Sequence, residues 1–192
     1  MLVQIILFIL DTVCGLLTLA LLVRFALQWA RASFRNPLGQ FIVAVTDWMV
    51  RPARRVVPGL FGLDLASLLL AWLWQVIYQG IALGLSGVLL VVSPAPALVV
   101  LLLAALEVVK IGLYLVMGAV MVSAVFSWVN PYAPLAEVFN TLTRPLLRPF
   151  RRFIPPVGGV DLSPLALLLV LQIALFVVAG MRNSILPMML MQ

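Results

Sequence analysis

Residues 144–164 read RPLLRPFRRFIPPVGGVDLSP, and a shorter version of the same stretch, RPARRVVPGLFGLDLAS, occupies residues 51–67. An Asn-Pro pair precedes each stretch, at Asn36 and at Asn130. Long apolar runs flank both copies. A duplicated basic, proline-containing segment between apolar runs is typical of a membrane protein built from two equivalent hairpins.

The composition is that of an integral membrane protein. The chain is 65% hydrophobic and 9% charged, whereas soluble domains are about 45–50% apolar and about 25% charged. The first apolar run has no basic residue before Arg24 and is longer than a signal-peptide core, which predicts a retained anchor. A membrane-spanning helix needs about 20 apolar residues, and four runs meet this length: Leu2–Trp29, Leu65–Val92, Ala97–Trp128 and Leu162–Gly180. We therefore predict an all-α protein with four transmembrane helices.

The duplication divides the chain into two repeats, residues 1–92 and residues 97–192. Each repeat holds two crossings around one basic loop, 30–64 or 129–161, so a pseudo-twofold axis along the membrane normal should relate two parallel hairpins. The two loops carry nine of the twelve basic residues, and the positive-inside rule then places both loops in the cytoplasm. Residues 86–106 leave two alternatives, since they either extend two long tilted helices or form an apolar hairpin at the outer surface.

Several classes of function are disfavoured by the residue content. Histidine is absent, which removes the commonest metal ligand, proton shuttle and haem ligand. The single cysteine, Cys14, cannot close an intrachain disulfide. We expect neither enzymatic activity nor a cofactor, because the carboxylates are scattered without an acid–base or metal-binding spacing: Asp11, Asp47, Asp64, Glu107, Glu137 and Asp161.

Each basic loop contains a candidate interfacial helix. The stretch after Asn-Pro carries an apolar face, formed by Phe41, Ile42, Val45, Trp48 and Met49 in the first copy and by Leu135, Val138, Phe139, Leu142 and Leu146 in the second. A net charge of +6 with this layout favours anionic lipid headgroups over nucleic acid as counterions. The candidate lipid- or partner-binding residues are Arg51, Arg54, Arg55, Arg144, Arg148, Arg151 and Arg152. Structural anchoring alone and docking of a partner protein both remain open.

An aspartate precedes the second span of each repeat. Asp64 and Asp161 are expected to cap these helices and to pair with a nearby arginine. Gly62 and the pair Gly158-Gly159 would supply the tight turn before the cap.

Five polar residues inside the apolar runs are candidates for an intramembrane role. Asp11 and Lys110 share the offset of 99 residues that relates Trp29 to Trp128. This match predicts an ion pair at the pseudo-axis, with Glu107 one turn away; independent snorkelling to headgroups is the alternative. Gln75 and Gln172 also correspond, and they either hydrogen-bond across the axis or mark a polar path.

The quoted loop at residues 144–164, together with Val23-Arg24 to Trp29 and Asn36-Pro37, closely resembles the YggT family of bacterial membrane proteins, and the resemblance covers nearly the whole chain. The first copy departs from the motif, since it lacks four residues equivalent to Leu146–Pro149 and has Ala66-Ser67 in place of Ser163-Pro164. The longer copy, Arg144 to Pro164, is where function should differ between the repeats.

The resemblance implies a multi-pass protein of the bacterial inner membrane without an assigned enzyme activity. It also implies links to osmotic-shock tolerance and potassium homeostasis, to division and membrane organisation in the related YlmG branch, and to haem attachment in chloroplast relatives.

Two hypotheses of function follow. The first is a non-enzymatic scaffold or assembly factor whose basic loops bind anionic lipid and a partner, either another membrane or cytoplasmic protein or a second copy of the chain. The alternative is a small transporter or channel subunit in which the intramembrane polar residues line a path.

Overall fold

The computed structural model describes residues 1–57, 59, 63–85, 94–130, 132–154 and 161–190, which form six helices. These are α1 (Leu2–Trp29), α2 (Pro37–Val56), α3 (Leu65–Leu85), α4 (Pro94–Val129), α5 (Pro134–Phe153) and α6 (Ser163–Leu190). Four of them are long and apolar enough to cross a membrane, over Leu2–Trp29, Leu65–Leu85, Ala97–Ser127 and Ser163–Ile185. The described chain is therefore all-helical with four candidate spans.

The helix boundaries refine the predicted spans. Residues 94–106 belong to the continuous helix α4, which at 36 residues measures about 54 Å and exceeds the roughly 30 Å hydrocarbon layer. Residues 94–106 therefore extend a long helix and do not form an apolar surface hairpin. Residues 86–93, and the predicted turn glycines Gly62 and Gly158-Gly159, lie outside the described residues.

The four long helices pack in two antiparallel pairs, α1 with α3 and α4 with α6. Helix α4 also contacts both α1 and α3, which joins the two pairs. An exact twofold axis would require α6 to pack on α1 as α3 packs on α4, but no comparable contact joins α6 to α1 in the described residues. The packing of the spans is thus less symmetric than the sequence repeat predicts.

Helices α2 and α5 lie at the same end of the bundle, which we call the arginine end. Leu27 near the end of α1 is buried together with Val138 and Leu142 of α5, and Leu38 of α2 packs against this cluster. Further along α2, Met49 and Val50 pack against α1 and α3. Both amphipathic helices are therefore fixed to the spans by apolar side chains on one face.

The predicted apolar face of α2 divides between core and surface. Ile42 and Met49 are buried, whereas Phe41 and Trp48 are exposed. In α5, Val138 and Leu142 are buried, and Leu135, Phe139 and Leu146 are partly buried. The exposed pair on α2 lies outside the protein core.

The residues of α2 match those of α5 in a different register from the one that the sequence predicted. Each has 20 residues and a proline near its start, so Pro37 matches Pro134 and Arg51-Pro52 matches Arg148-Pro149 without a gap. The buried positions Gly39, Thr46 and Val50 match the buried Ala136, Thr143 and Leu147. The predicted four-residue deletion at 146–149 is therefore wrong. The extra residues of the second copy instead precede the helix, since Asn36 directly precedes Pro37 whereas Asn130 is four residues before Pro134.

Candidate functional site

A network of ion pairs around the buried Arg24 joins the first three helices at the arginine end. Arg24 of α1 is only 5% exposed, and its Nη1 donates to Thr46 Oγ1 and to Asp47 Oδ1, each at 2.8 Å. Its Nε lies 3.6 Å from Asp64 Oδ2. We call Arg24, Asp47, Arg51, Arg54 and Asp64 the Arg24 network, since Arg51 pairs with Asp47 at 2.7 Å and Arg54 pairs with Asp64 at 2.6 Å.

Asp64 is the most enclosed acid of this network. It accepts hydrogen bonds from Ser67 Oγ at 2.7 Å and from the Ser67 backbone N–H at 3.4 Å, which is the geometry of a cap on α3. Burial raises the pKa of Asp64, but the hydrogen bonds from Arg54 and Ser67 and the charge of Arg54 outweigh it and lower the pKa overall. The carboxylate is held ionised, and α3 is held against α2.

The pKa of Asp47 is set by the same two opposing effects. Partial burial raises its pKa, and the hydrogen bonds and positive charges of Arg24 and Arg51 lower it below the ordinary value. Two carboxylates and three arginines therefore satisfy one another where the three helices meet. Removing one partner from such a network would leave an uncompensated buried charge, so the network favours this one arrangement of the three helices.

Sequence reasoning did not identify Arg24 and Asp47 as members of this site. Arg24 lies in an apolar run, and its acidic partners are far away in sequence at Asp47 and Asp64. One available signal was the arginine itself, because a charged residue inside a candidate span needs a partner. Another was the spacing of Asp47 and Arg51, which pair one turn apart on α2.

The second half of the chain replaces the network with neutral hydrogen bonds. Ser123 of α4 has the same offset from Arg24 as Trp128 has from Trp29, and it is buried. Its Oγ donates to Asn140 Oδ1 at 2.6 Å, and Thr143 Oγ1 lies 3.4 Å from it. This contact with Thr143 corresponds to the contact of Arg24 with Thr46. The position of Asp47 is taken by Arg144, so a carboxylate of the first half is an arginine in the second.

Asp161 occupies the position of Asp64 but is more exposed. It accepts a hydrogen bond from the Ser163 backbone N–H at 2.9 Å, at the start of α6, and pairs with Arg151 at 2.9 Å. The exposed fractions of the Arg151 and Asp161 side chains are 53% and 39%. Burial raises the pKa of Asp161, but the hydrogen bonds from Ser163 and Arg151 and the charge of Arg151 together outweigh it and lower the pKa overall.

Three of the four arginines of α5 line an open cationic pocket. A cavity of about 740 Å³ lies between the end of α1 and α5, and its lining includes Arg31, Arg144, Arg148 and Arg151 beside Trp29. Arg31, Arg144 and Arg148 form no ion pair in the part of the chain that the structure describes. Of the other predicted arginines, Arg55 and Arg152 are exposed at the ends of α2 and α5.

The predicted pair of Asp11 and Lys110 does not form. Lys110 Nζ binds Glu107 Oε1 at 2.6 Å, and Arg182 Nη1 binds Glu107 Oε2 at 2.8 Å. Asp11 is exposed and interacts with Tyr78. Lys110 pairs with Glu107 and not with Asp11 because Glu107 is one turn away on the same helix. The second carboxylate oxygen of Glu107 binds Arg182 of α6.

The two glutamines also do not meet. Gln75 is buried and donates from Nε2 to Thr18 Oγ1 at 3.0 Å, while its Oε1 has no partner. Gln172 is exposed on α6. A groove of about 670 Å³ along α1 and α4 is lined by Asp11, Gln75 and Glu107 among apolar residues, and it includes neither Lys110 nor Gln172. The structure therefore brings together three of the five predicted intramembrane polar residues.

The described residues contain no group of three or more Cys, Asp or Glu side chains that could hold a metal ion. The chemistry of the arginine end is that of guanidinium groups, which bind carboxylates and phosphates through paired hydrogen bonds.

Comparisons with known proteins agree on one family. The CCB3/YggT family model matches residues 3–85 and 102–182. An uncharacterized protein of Pseudomonas aeruginosa is 40% identical over 173 residues, covering 86% of this chain and 84% of its own length. The uncharacterized protein YggT of Escherichia coli K12 is 38% identical over 167 residues, covering 86% of this chain and 85% of its own. The chloroplastic YlmG homolog protein 2 of Arabidopsis thaliana is 52% identical over 52 residues, which are 26% of this chain and 20% of its own length.

No solved structure matches the chain significantly. With four candidate spans, a basic end built from two amphipathic helices and a family match along most of its length, this chain belongs to the CCB3/YggT family.

Proposed function

We propose that this protein is a non-enzymatic scaffold or organising factor of the bacterial inner membrane. In this proposal α2 and α5 are interfacial helices at the cytoplasmic surface, and they bind anionic lipid and a partner protein. The observation that carries the proposal is the gathering of both amphipathic, arginine-rich helices at one end of the bundle. The positive-inside rule favours the cytoplasmic side for such an end.

The two parallel hairpins belong to the same proposal. The family model matches the chain in two stretches, 3–85 and 102–182, and the order of long, amphipathic and long helix recurs in each. The Arg24 network supports a scaffold, because it fixes α2 against two spans and so presents a rigid surface. The exposed Phe41 and Trp48 suit the lipid side of an interfacial helix. We propose that this role serves osmotic-stress tolerance, as the family resemblance implies.

Photocrosslinking in cells tests the proposal at two matched positions. Val56 and Phe153 end α2 and α5, correspond to each other and are both highly exposed. A photoreactive residue at either position should capture anionic phospholipid in excess of its share of the membrane, and also one or more discrete proteins. The same probe at Phe176, which is exposed on the span α6, should capture lipids in proportion to their abundance. If only lipid is captured at Val56 and Phe153, the proposed partner protein is refuted. If the captured lipid is not enriched in anionic species, the proposed binding of anionic lipid is refuted.

A second candidate function is a small transporter or channel subunit for ions such as potassium. It is favoured by the groove that contains Asp11, Gln75 and Glu107, and in particular by the unpartnered Oε1 of the buried Gln75. Ion flux into liposomes that contain only this protein is the test. Gln75→Leu should abolish flux through this groove, whereas Gln172→Leu, outside the groove, is the matched control. Robust flux with this pattern would replace the scaffold proposal.

A further inference from the structure

Arg148 of α5 has no acidic partner among the described residues, unlike its counterpart Arg51 in α2. Arg51 pairs with Asp47 at 2.7 Å, but the matching residues in α5 are Arg148 and Arg144, which repel each other one turn apart. Arg151 follows on the same face of α5 and forms an ion pair with the partly exposed Asp161. A concentration of positive charge that the described residues do not neutralise is a site for an anion from outside the chain.

The backbone at Arg31 supplies a second, independent observation. Arg31 follows α1 with φ 54, the left-handed conformation that glycine normally provides at a helix C-terminus. The hydrogen bond from Ala32 N to Leu27 O at 2.9 Å closes the turn that requires this conformation. A non-glycine residue there is strained, and strained residues of this kind cluster at ligand sites. Here the strained residue contributes its guanidinium to the cationic pocket.

The cationic pocket adjoins an apolar cavity within the spans. This second cavity, of about 290 Å³, runs between α1 and α4 beside Gly112 and is lined by side chains that include Phe25, Val116 and Leu146. Trp29 lines both cavities. A free phosphate would use only the charged part, whereas a phospholipid presents a phosphate and an acyl chain in the arrangement that the two cavities offer.

We propose that an anionic phospholipid binds at this junction, with its headgroup among Arg31, Arg144, Arg148 and Arg151 and an acyl chain in the cavity beside Gly112. Four guanidinium groups around one space favour a lipid with two phosphates over a lipid with one. The inference rests on the proposed lipid-binding function and narrows it to one site, between the end of α1 and α5.

Lipid titration of the delipidated full-length protein, followed by native mass spectrometry, tests the site. Cardiolipin should bind with one tight site and at least tenfold more tightly than phosphatidylglycerol, and phosphatidylethanolamine should bind more weakly still. The double variant Arg144→Gln and Arg148→Gln should lose at least tenfold in cardiolipin affinity. A control that removes an exposed charge outside the two amphipathic helices, Arg35→Gln, should change it less than twofold.

Two further variants separate binding from folding and lipid from phosphate. Arg31→Gly should weaken cardiolipin binding several-fold while leaving the unfolding midpoint of the lipid-free protein unchanged or higher, because glycine relieves the strain. Gly112→Leu should fill the apolar cavity and weaken cardiolipin binding, and it should not alter binding of inorganic pyrophosphate.

The outcomes distinguish this site from the general role. A loss for Arg35→Gln equal to that for the Arg144/Arg148 variant would overturn the site and leave diffuse lipid binding by the arginine end intact. Pyrophosphate that competes fully with cardiolipin, together with no effect of Gly112→Leu, would show an anion site without a lipid. Indifference to anionic lipid in every form of the protein would overturn both the site and the proposed function.

Discussion

Replacing Asp64 with asparagine should destabilise the protein far more than the same change at the corresponding Asp161. The Asp64 side chain is 1% exposed and accepts hydrogen bonds from Arg54 at 2.6 Å and from Ser67 Oγ at 2.7 Å, with Arg24 Nε at 3.6 Å. Asparagine keeps the size and caps a helix as well as aspartate does, so the loss reports the charge. Breaking a buried ion pair by removing one partner costs about 3–5 kcal/mol, and Arg24 would be left with Asp47 alone.

Asp161→Asn is the matched control. Its pair with Arg151 is largely exposed, and exposed pairs contribute about 0–1 kcal/mol. Reversible unfolding in mixed micelles with a rising fraction of SDS, followed by tryptophan fluorescence, gives the free energy of unfolding of each variant. If Asp64→Asn does not fold, Ser67→Ala removes one hydrogen bond to the same ionised carboxylate and should cost about 1.5–3 kcal/mol. Equal losses for the two asparagine variants would refute the argument from burial.

Three further predictions concern the same end of the molecule. Because the pKa of Asp64 is lowered from its ordinary 3.8, its stabilisation is complete above that value and is lost as pH falls through the folded pKa; the free energy of unfolding should drop below about pH 4, and less steeply in Asp64→Asn. Gly39→Ala places a Cβ 2.7 Å from the Phe34 backbone and should cost about 1–3 kcal/mol in a thermal or SDS unfolding measurement, whereas Gly80→Ala has open space and should gain about 0.5–1 kcal/mol. Asn36 caps α2 by accepting from the Gly39 backbone N–H at 2.8 Å, so Asn36→Ala should lose about 1 kcal/mol, and Ala133→Asn, at the uncapped start of α5, should gain about 0.5 kcal/mol; the opposite order in that unfolding series would contradict the capping argument.

The elements that the sequence predicted are those whose cause is local. A run of apolar residues the length of a bilayer forms a spanning helix wherever it packs, and all four candidate spans follow such runs. The helices after the two Asn-Pro pairs depend on helical periodicity over 20 residues, which can also be counted along the chain. Asp64 and Asp161 lie at helix starts for the same reason, because a cap and its helix are neighbours in sequence.

The sequence was ambiguous where two local solutions compete. Arg-Pro occurs once in α2, at Arg51, but twice in α5, at Arg144 and Arg148, so the repeat can be matched in two registers. The helix boundaries and the buried Thr46 and Thr143 favour the match of Arg51 with Arg148 over the match with Arg144. In this register Arg144 occupies the position that corresponds to Asp47. That choice makes the two arginine clusters chemically unequal.

By itself, then, the sequence determined a four-span membrane protein with two basic amphipathic helices, because hydropathy, periodicity and caps are properties of contiguous residues. Only the tertiary structure decided which charges meet. Arg24 finds Asp47 and Asp64, Glu107 takes Lys110 and Arg182, and Arg31 joins the arginines of α5 in one pocket. These partners depend on how each helix is rotated and placed against its neighbours, and that arrangement is set by packing over the whole bundle.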